Sequence, residues 1–394
     1  MNFDETVAKL FGQINRDNIV RSLHELIAAK SVNPFDDAVK DGYGEKKAAE
    51  YYAAKMAGIG FDVHTDTVAE GRLNVFGRLK GTGEKSSLML AGHLDTVDAE
   101  ADAFQPKTAD GKVFGRGACD MKGALAIYLE VGRLIVASGL KLKGDLILGG
   151  IADEEYKMIG SLYVDKHGPK AGQCIIGEPT ELKVCPVNKG HICLYVKTFG
   201  RSVHSSVPEE GVSAIEKMMK AVAAFGEYHK KLRSRPPHPL CGTASFCSSV
   251  IKGGSLATAV ADYCELEVDR RILPGETKET VYSEIREILE ALAADDPDFK
   301  YELSAPTFDI KSNEISENEP VVPALLEAYG QVTGLEKVVY GLPFGTDAPN
   351  MGCPAVVCGP GSISQAHSAD EYVEIDQLEK AAQIYLAAVV RLLT

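Results

Sequence analysis

The residues of this sequence best equipped for chemistry are His93, Asp95, Asp120, Glu154, Glu155, Glu178 and His367. All offer carboxylate oxygen or imidazole nitrogen and none offers a thiolate. That donor set suits zinc, cobalt or manganese in a catalytic centre rather than a structural, cysteine-rich zinc. In GHLDTV, His93 and Asp95 stand two apart. In an extended segment they project from one side, so the Asp95 carboxylate is expected to accept a bond from the imidazole and fix its tautomer. In ADEE, the adjacent Glu154 and Glu155 repel when both are ionised in a cleft. A metal resolves the repulsion by binding one carboxylate and leaving the other as a general base. Taken singly, each residue also reads as a cap or turn residue, and DEE as a solvated acidic loop. Their ordered occurrence carries the chemistry.

Such donors need a frame that delivers them to one place. SLMLAG, DLILGGI, QCIIG and PAVVCG are short, continuously apolar runs, the pattern of strands buried on both faces in a parallel sheet. Each gives way to polar residues: HLD, ADEE, EP and, after PGSISQA, His367. Ligands of open α/β sheets bind beyond the carboxyl ends of the strands, so these clusters are expected to converge on one crevice. Helical spacing lies between them, as in Leu125, Tyr128, Leu129 and Ile135, and again from Asp376 to Leu393. In YCELEVD, by contrast, Cys264, Leu266 and Val268 alternate with Glu265, Glu267 and Asp269, the signature of an antiparallel strand with one wet face. Amphipathic segments flank it, one with Ile215, Met218, Val222 and Phe225 on a single face, the other with Val281, Ile285, Ile288 and Leu292. The expected architecture is a doubly wound α/β catalytic domain with a mostly parallel sheet at 1–185 and 306–394, interrupted at 186–305 by a β-α-β-β-α-β, ferredoxin-like α+β insertion.

With 394 residues the chain is long enough for two or three domains. Its 42 Lys plus Arg against 56 Asp plus Glu leave a net charge of −14, without the basic footprint of a nucleic-acid or anionic-membrane binder. No run approaches the roughly 18 apolar residues of a membrane span. The acidic opening MNFDETVAKLF lacks the basic start and apolar core of a secretory signal. The nine cysteines are odd in number and never spaced C-x-x-C, which fits free thiols in a reducing cytoplasm. Cys119 reads as a small buried thiol rather than a nucleophile. A cytoplasmic location is expected.

Eight segments, in order, are similar to one family: LMLAGHLDTV, GRGACDMKGALA, GGIADEE, IIGEPTEL, GRSVHSSVPEEGVSAI, DRRILPGET, GTDAPNM and GPGSISQAHSADEYVE. From about residue 88 to 375 the chain resembles the dizinc metallopeptidases that include acetylornithine deacetylase, succinyl-diaminopimelate desuccinylase, the aminoacylases and carboxypeptidase G2. IIGEPTEL followed by NKGHI, and GPGSISQAHSADEY, are most similar to the acetylornithine deacetylase branch. The resemblance implies that His93 and Glu178 hold one zinc and Glu155 and His367 the other, with Asp120 bridging both, Glu154 as base and Asp95 orienting His93. Cobalt or manganese are the alternative ions. It also implies a cis peptide between Asp120 and Met121. His204, in GRSVHSSVP, would reach the active site of a second subunit and stabilise the reacting carbonyl oxygen, which makes the insertion the lid and dimerisation domain of a homodimer. Arg271 would bind a substrate carboxylate through its planar fork of donors. The chain departs from the family at Thr258, where the pattern has an asparagine that contacts substrate. A single hydroxyl cannot reproduce a two-point amide contact, and the departure bears on which substrate is taken rather than on hydrolysis.

The resemblance therefore implies metal-dependent removal of a short N-acyl group from an N-acyl-α-amino acid, N-acetylornithine first, which would belong to arginine biosynthesis. The partner is a small molecule, not nucleic acid or membrane. A dipeptidase, a carboxypeptidase or a succinyl-diaminopimelate desuccinylase-like hydrolase would use the same metal chemistry. A catalytically dead binding protein is a further alternative, against which stands the presence of Glu154 beside all five ligands.

Overall fold

The structure, a computed structural model, describes residues 3–35 and 43–394. Its residues fall into two compact units: Met1–Val187 with Glu314–Tyr340 and Thr346–Thr394, and Asn188–Asn313 with Gly341–Gly345.

The main sheet of the first unit runs, strand by strand, Asp62–Ala69, Arg72–Leu79, Leu146–Ile151, Leu88–His93, Gln173–Ile176, Ala355–Val357 and Val184–Asn188. The four apolar runs are its central strands and pair in parallel, Leu146–Ile151 beside Leu88–His93, then Gln173–Ile176, then Ala355–Val357. Leu88–His93 and Leu146–Ile151 are buried along their whole length, as strands of a covered parallel sheet are. The helix Gly123–Ser138 connects these two strands in sequence, with Leu125, Tyr128, Leu129 and Ile135 all buried. Tyr128 donates its hydroxyl to the Ala91 carbonyl at 3.2 Å, and Tyr385, on the helix Ile375–Leu393, donates to Cys358 at 2.5 Å. Both buried phenols thus satisfy their polar ends while pinning a helix to a strand terminus. Leu378, Ile384, Leu386 and Val389 are buried on that last helix, each worth about 1.5–3 kcal/mol of apolar burial. Close approach has its own requirement at Gly177, where a Cβ would sit 2.4 Å from the Ala124 Cβ. No larger residue fits between that helix and the strand end. Because Ala91 pairs with Ile176 and His93 with Ile151, the carboxyl ends of three strands lie side by side where the polar clusters begin.

The sheet of the second unit is antiparallel, in the order Ser245–Gly253, Tyr263–Ile272, Gly190–Phe199, Lys300–Leu303. With the helices Ala214–Arg233 and Lys278–Asp295 in its connections, this is the β-α-β-β-α-β arrangement. Cys264, Leu266 and Val268 pack into the core with both helices, while the alternating acids occupy the other face. The first helix differs in register from the expected stripe: it buries Ala214, Met218, Ala221, Phe225, Tyr228 and Leu232, and Ile215 is 37% exposed. Small Ala214 and Ala221 let the backbone approach the sheet, which rotates Ile215 outward. The second helix buries Val281, Ile285 and Leu289, with Ile288 and Leu292 at its margin. Ser213 and Thr277 cap the two helices by accepting from the amides of Glu216 and Thr280, each cap worth about 1 kcal/mol.

Candidate metal centre

His93 closes the strand Leu88–His93 and is fully buried. Its Nε2 lies 2.9 Å from Oδ1 of Asp120 and 3.8 Å from Oε1 of Glu178. The other oxygen of Asp120, Oδ2, lies 3.5 Å from Nε2 of His367, which in turn is 2.9 Å from Oε2 of Glu155. One carboxylate therefore faces two histidines, each accompanied by a glutamate. Ligating atoms of His93, Asp120 and Glu155 all lie within 4.8 Å of one another, and so do those of His93, Glu154 and Glu178. Glu154 and Glu155 follow the strand Leu146–Ile151, Glu178 follows Gln173–Ile176, and His367 is half-exposed in a loop with a left-handed φ of 61°. The Asp120–Met121 peptide is cis.

Asp95 holds the site differently from the expectation. Nδ1 of His93 bonds to the backbone carbonyl of Asp95 at 2.9 Å, and the carboxylate stands 3.6 Å away. The strand ends at His93, so the two-residue alternation that would have aligned the side chains stops there. The Asp95 carboxylate instead accepts from the amides of Glu154 and Glu155, at 3.1 and 3.2 Å, and from Nδ2 of Asn33 at 2.7 Å. Asn33 also donates to Asp153, which is paired with Arg72, and Arg72 forks onto Glu45 with two bonds of 2.6 Å. All five side chains of this lattice are buried, so it fixes the backbone that presents Glu154 and Glu155.

Glu371 is a residue that composition and periodicity do not reveal. Its buried carboxylate accepts from the amides of Gly117, Cys119 and Asp120 and from Nη1 of Arg116. The one local signal is its place four residues after His367, in HSADE. Asp347, in GTDAPNM, is buried with Oδ1 lacking a hydrogen-bond partner, and burial pushes its carboxyl up to about 7.

The electrostatics call for a cation. Burial, reinforced by neighbouring carboxylates, pushes Glu154 and Glu178 well above the usual carboxylate range and raises Glu155 as well. Burial opposes a charged His93, yet Glu178 and Asp120 raise it above its ordinary value. Oε1 of Glu178 is buried without a hydrogen-bond partner. A divalent ion would satisfy that orphaned acceptor and offset the crowded negative charge, and nitrogen and oxygen donors are the set a catalytic zinc takes. The residues present fit such a group.

His204, Thr258 and Arg271 belong to the second unit. The His204 loop pairs with the Thr258 segment, the amide of Ser205 donating to the Thr258 carbonyl at 2.9 Å. His204 is exposed, and its Nδ1 accepts from the amide of Ser206 at 3.2 Å. That bond puts the proton of the neutral ring on Nε2. Arg271 donates from Nε to Oδ1 of Asp269 at 3.0 Å, with its side chain one-third exposed. Cys119 is buried and bonds through sulfur to the Ser362 carbonyl, and burial pushes its thiol far up, which suits packing and not nucleophilic attack. All nine cysteines are free thiols, and no helix among the described residues is long and apolar enough to cross a membrane.

Peptidase family M20/M25/M40 matches residues 89–391. The acetylornithine deacetylase of Vibrio campbellii is 32% identical over 376 residues, covering 93% of this chain and 96% of the relative. That of Salmonella typhimurium is 32% identical over 383 residues, with 91% and 94% covered. Among solved structures, a tripeptidase from Staphylococcus aureus superposes with a TM-score of 0.79 at 23% identity, over 96% of this chain and 99% of that one. A metallo-carboxypeptidase from Sulfolobus solfataricus superposes at 0.74 and 17% identity, over 95% and 98%. Both share the mixed α/β fold.

Proposed function

The chain belongs to peptidase family M20/M25/M40 and is a metal-dependent amidohydrolase, and from that premise we propose that it removes a short acyl group from an N-acyl-α-amino acid, N-acetylornithine foremost, using two zinc ions per chain. The observation that carries the substrate is the 32% identity to acetylornithine deacetylases over more than nine-tenths of both chains. His93 and Glu178 would hold one ion and Glu155 and His367 the other, with Asp120 between them. The two-sided placement of the Asp120 oxygens supports that division, and cobalt or manganese would fill the same nitrogen and oxygen donors.

When bound, the ions would lower the pKa of a water to about 7 and polarise the scissile carbonyl. The remaining steps fall to this chain's side chains. Glu154, held in place through its amide by Asp95, takes the proton of the attacking water and passes it to the leaving nitrogen. Its burial raises the carboxyl above the ordinary carboxylate range, the direction that strengthens a general base. His204, acting from the partner subunit of a homodimer, donates from Nε2 to the carbonyl oxygen as charge develops there. Arg271 receives the substrate carboxylate on its remaining guanidinium donors. A cytoplasmic setting in arginine biosynthesis fits free thiols and a small acylated amino acid.

The test is kcat/KM of the zinc-loaded enzyme on N-acetyl, N-succinyl and N-formyl amino acids and on dipeptides. N-acetylornithine is expected to lead. A dipeptide or an N-succinyl substrate turned over faster would overturn the substrate reading and leave amide hydrolysis intact.

A further inference from the structure

The wet face of the second unit's sheet carries a second cluster of ligating atoms. In the pairing of Gly190–Phe199 with Tyr263–Ile272, Cys193 lies opposite Asp269 and His191 opposite Arg271. Ile192, Leu194, Val268 and Ile272 fill the core shared with the helices, so alternation turns His191, Cys193, Asp269 and Arg271 to the other face. There Nδ1 of His191 is 3.0 Å from Oδ2 of Asp269. Sγ of Cys193 is 3.6 Å from the same oxygen and 4.0 Å from that nitrogen. In a tetrahedral zinc shell, with bonds of about 2.3 Å to sulfur and about 2.0–2.2 Å to nitrogen and oxygen, donor atoms stand about 3.4–3.6 Å apart. The three atoms already approximate one face of such a tetrahedron.

The surroundings favour the same reading. Oδ1 of Asp269 is taken by Nε of Arg271 at 3.0 Å, which turns Oδ2 toward the imidazole and the thiol, as the partner of a ligating carboxylate does. The side chains of His191 and Asp269 are 17% and 19% exposed, so an ion has a way in and a fourth position is left for water or another donor. We propose that His191, Cys193 and Asp269 form a metal site of their own, for a thiophilic divalent ion of the zinc class bound through one nitrogen, one sulfur and one oxygen. It does not depend on the reading of the His93 cluster.

Binding displaces protons, because sulfur ligates as the thiolate and Nδ1 must give up its hydrogen to Nε2. The proton released on loading is that of the Cys193 thiol.

Cobalt(II) separates this site from the other, since only a thiolate ligand gives a near-ultraviolet sulfur-to-cobalt charge-transfer band and the His93 cluster contains no sulfur ligand. The full chain is stripped with chelator and titrated with Co²⁺, in wild type and in Cys193→Ser, Cys119→Ser and Cys247→Ser. A band whose amplitude matches one thiolate-bound cobalt per chain, that is bleached by zinc, disappears in Cys193→Ser and persists in the other two, is the expected result. His191→Ala and Asp269→Asn, checked for wild-type circular dichroism, should each weaken the band-forming affinity about ten-fold or more. Absence of the band at cobalt saturation, or its survival in Cys193→Ser, overturns the proposal. Stoichiometry at the His93 cluster is read separately, from the visible bands of nitrogen and oxygen ligation.

Discussion

The backbone amide of Asp120 donates to Oε1 of Glu371 at 3.0 Å across 251 residues of chain. The same carboxylate gathers the amides of Gly117 and Cys119 and the guanidinium of Arg116. The turn that presents Asp120 is thus clamped by a residue four positions beyond His367, which couples two pieces of the candidate metal centre that are remote in sequence.

Glu371→Gln replaces one acceptor oxygen with an amide NH2 donor in a pocket lined with donors, and one of those donors must lose its acceptor. Zinc affinity should fall about 10–100-fold, read by equilibrium dialysis. Unchanged affinity in a folded variant would reduce Glu371 to a structural clamp.

Glu154→Gln keeps size and hydrogen bonding but cannot take a proton. It should retain the wild-type metal content by elemental analysis and lose about 10²–10⁴ in kcat. A variant as fast as wild type would remove Glu154 from the mechanism.

Arg72→Met leaves Glu45 and Asp153 buried without their cation. Stripping one partner from a buried ion network costs about 3–5 kcal/mol, and urea unfolding should show that loss. A cost below about 1 kcal/mol, the range of exposed pairs, would mean the network contributes little.

Asp296 accepts from Lys217 and Lys220 at 2.7 and 2.6 Å, and these bonds hold its carboxyl far below the ordinary value of 3.8. Folding therefore favours the ionised form. The stabilisation is complete above the ordinary value and is lost as pH falls through the lower folded one. Asp296→Asn should unfold at lower urea than wild type at neutral pH, with the gap closing below about pH 4. A gap that stays constant with pH would assign the effect to geometry instead of charge.

Heterodimers of wild type with a Glu154→Gln/His204→Ala chain test whether His204 acts across subunits. If it does, one site lacks the base and the other receives the altered loop, so the heterodimer is inactive. Half of wild-type activity in the purified heterodimer would place His204 in its own chain's site.

Sequence alone determined the chemistry of the donors and the direction from which they come. Continuous apolar runs ending in HLD, ADEE and EP mark parallel strands with imidazole and carboxylate donors at their carboxyl ends, because burial on both faces and an abrupt polar stop are local properties. The alternation in YCELEVD likewise announced a strand with one wet face. Tertiary structure alone decided which atoms meet. Asp95 turned its carboxylate to the amides of Glu154 and Glu155 rather than to His93, since the chain leaves its strand at His93. Ile215 turned outward because Ala214 and Ala221 face the sheet. The Asp120–Glu371 bond and the His191–Cys193–Asp269 triad depend on long-range packing and on cross-strand register. The long-range pairing itself leaves no mark within a local window, because periodicity reports which face a residue occupies and not which distant residue lies opposite it.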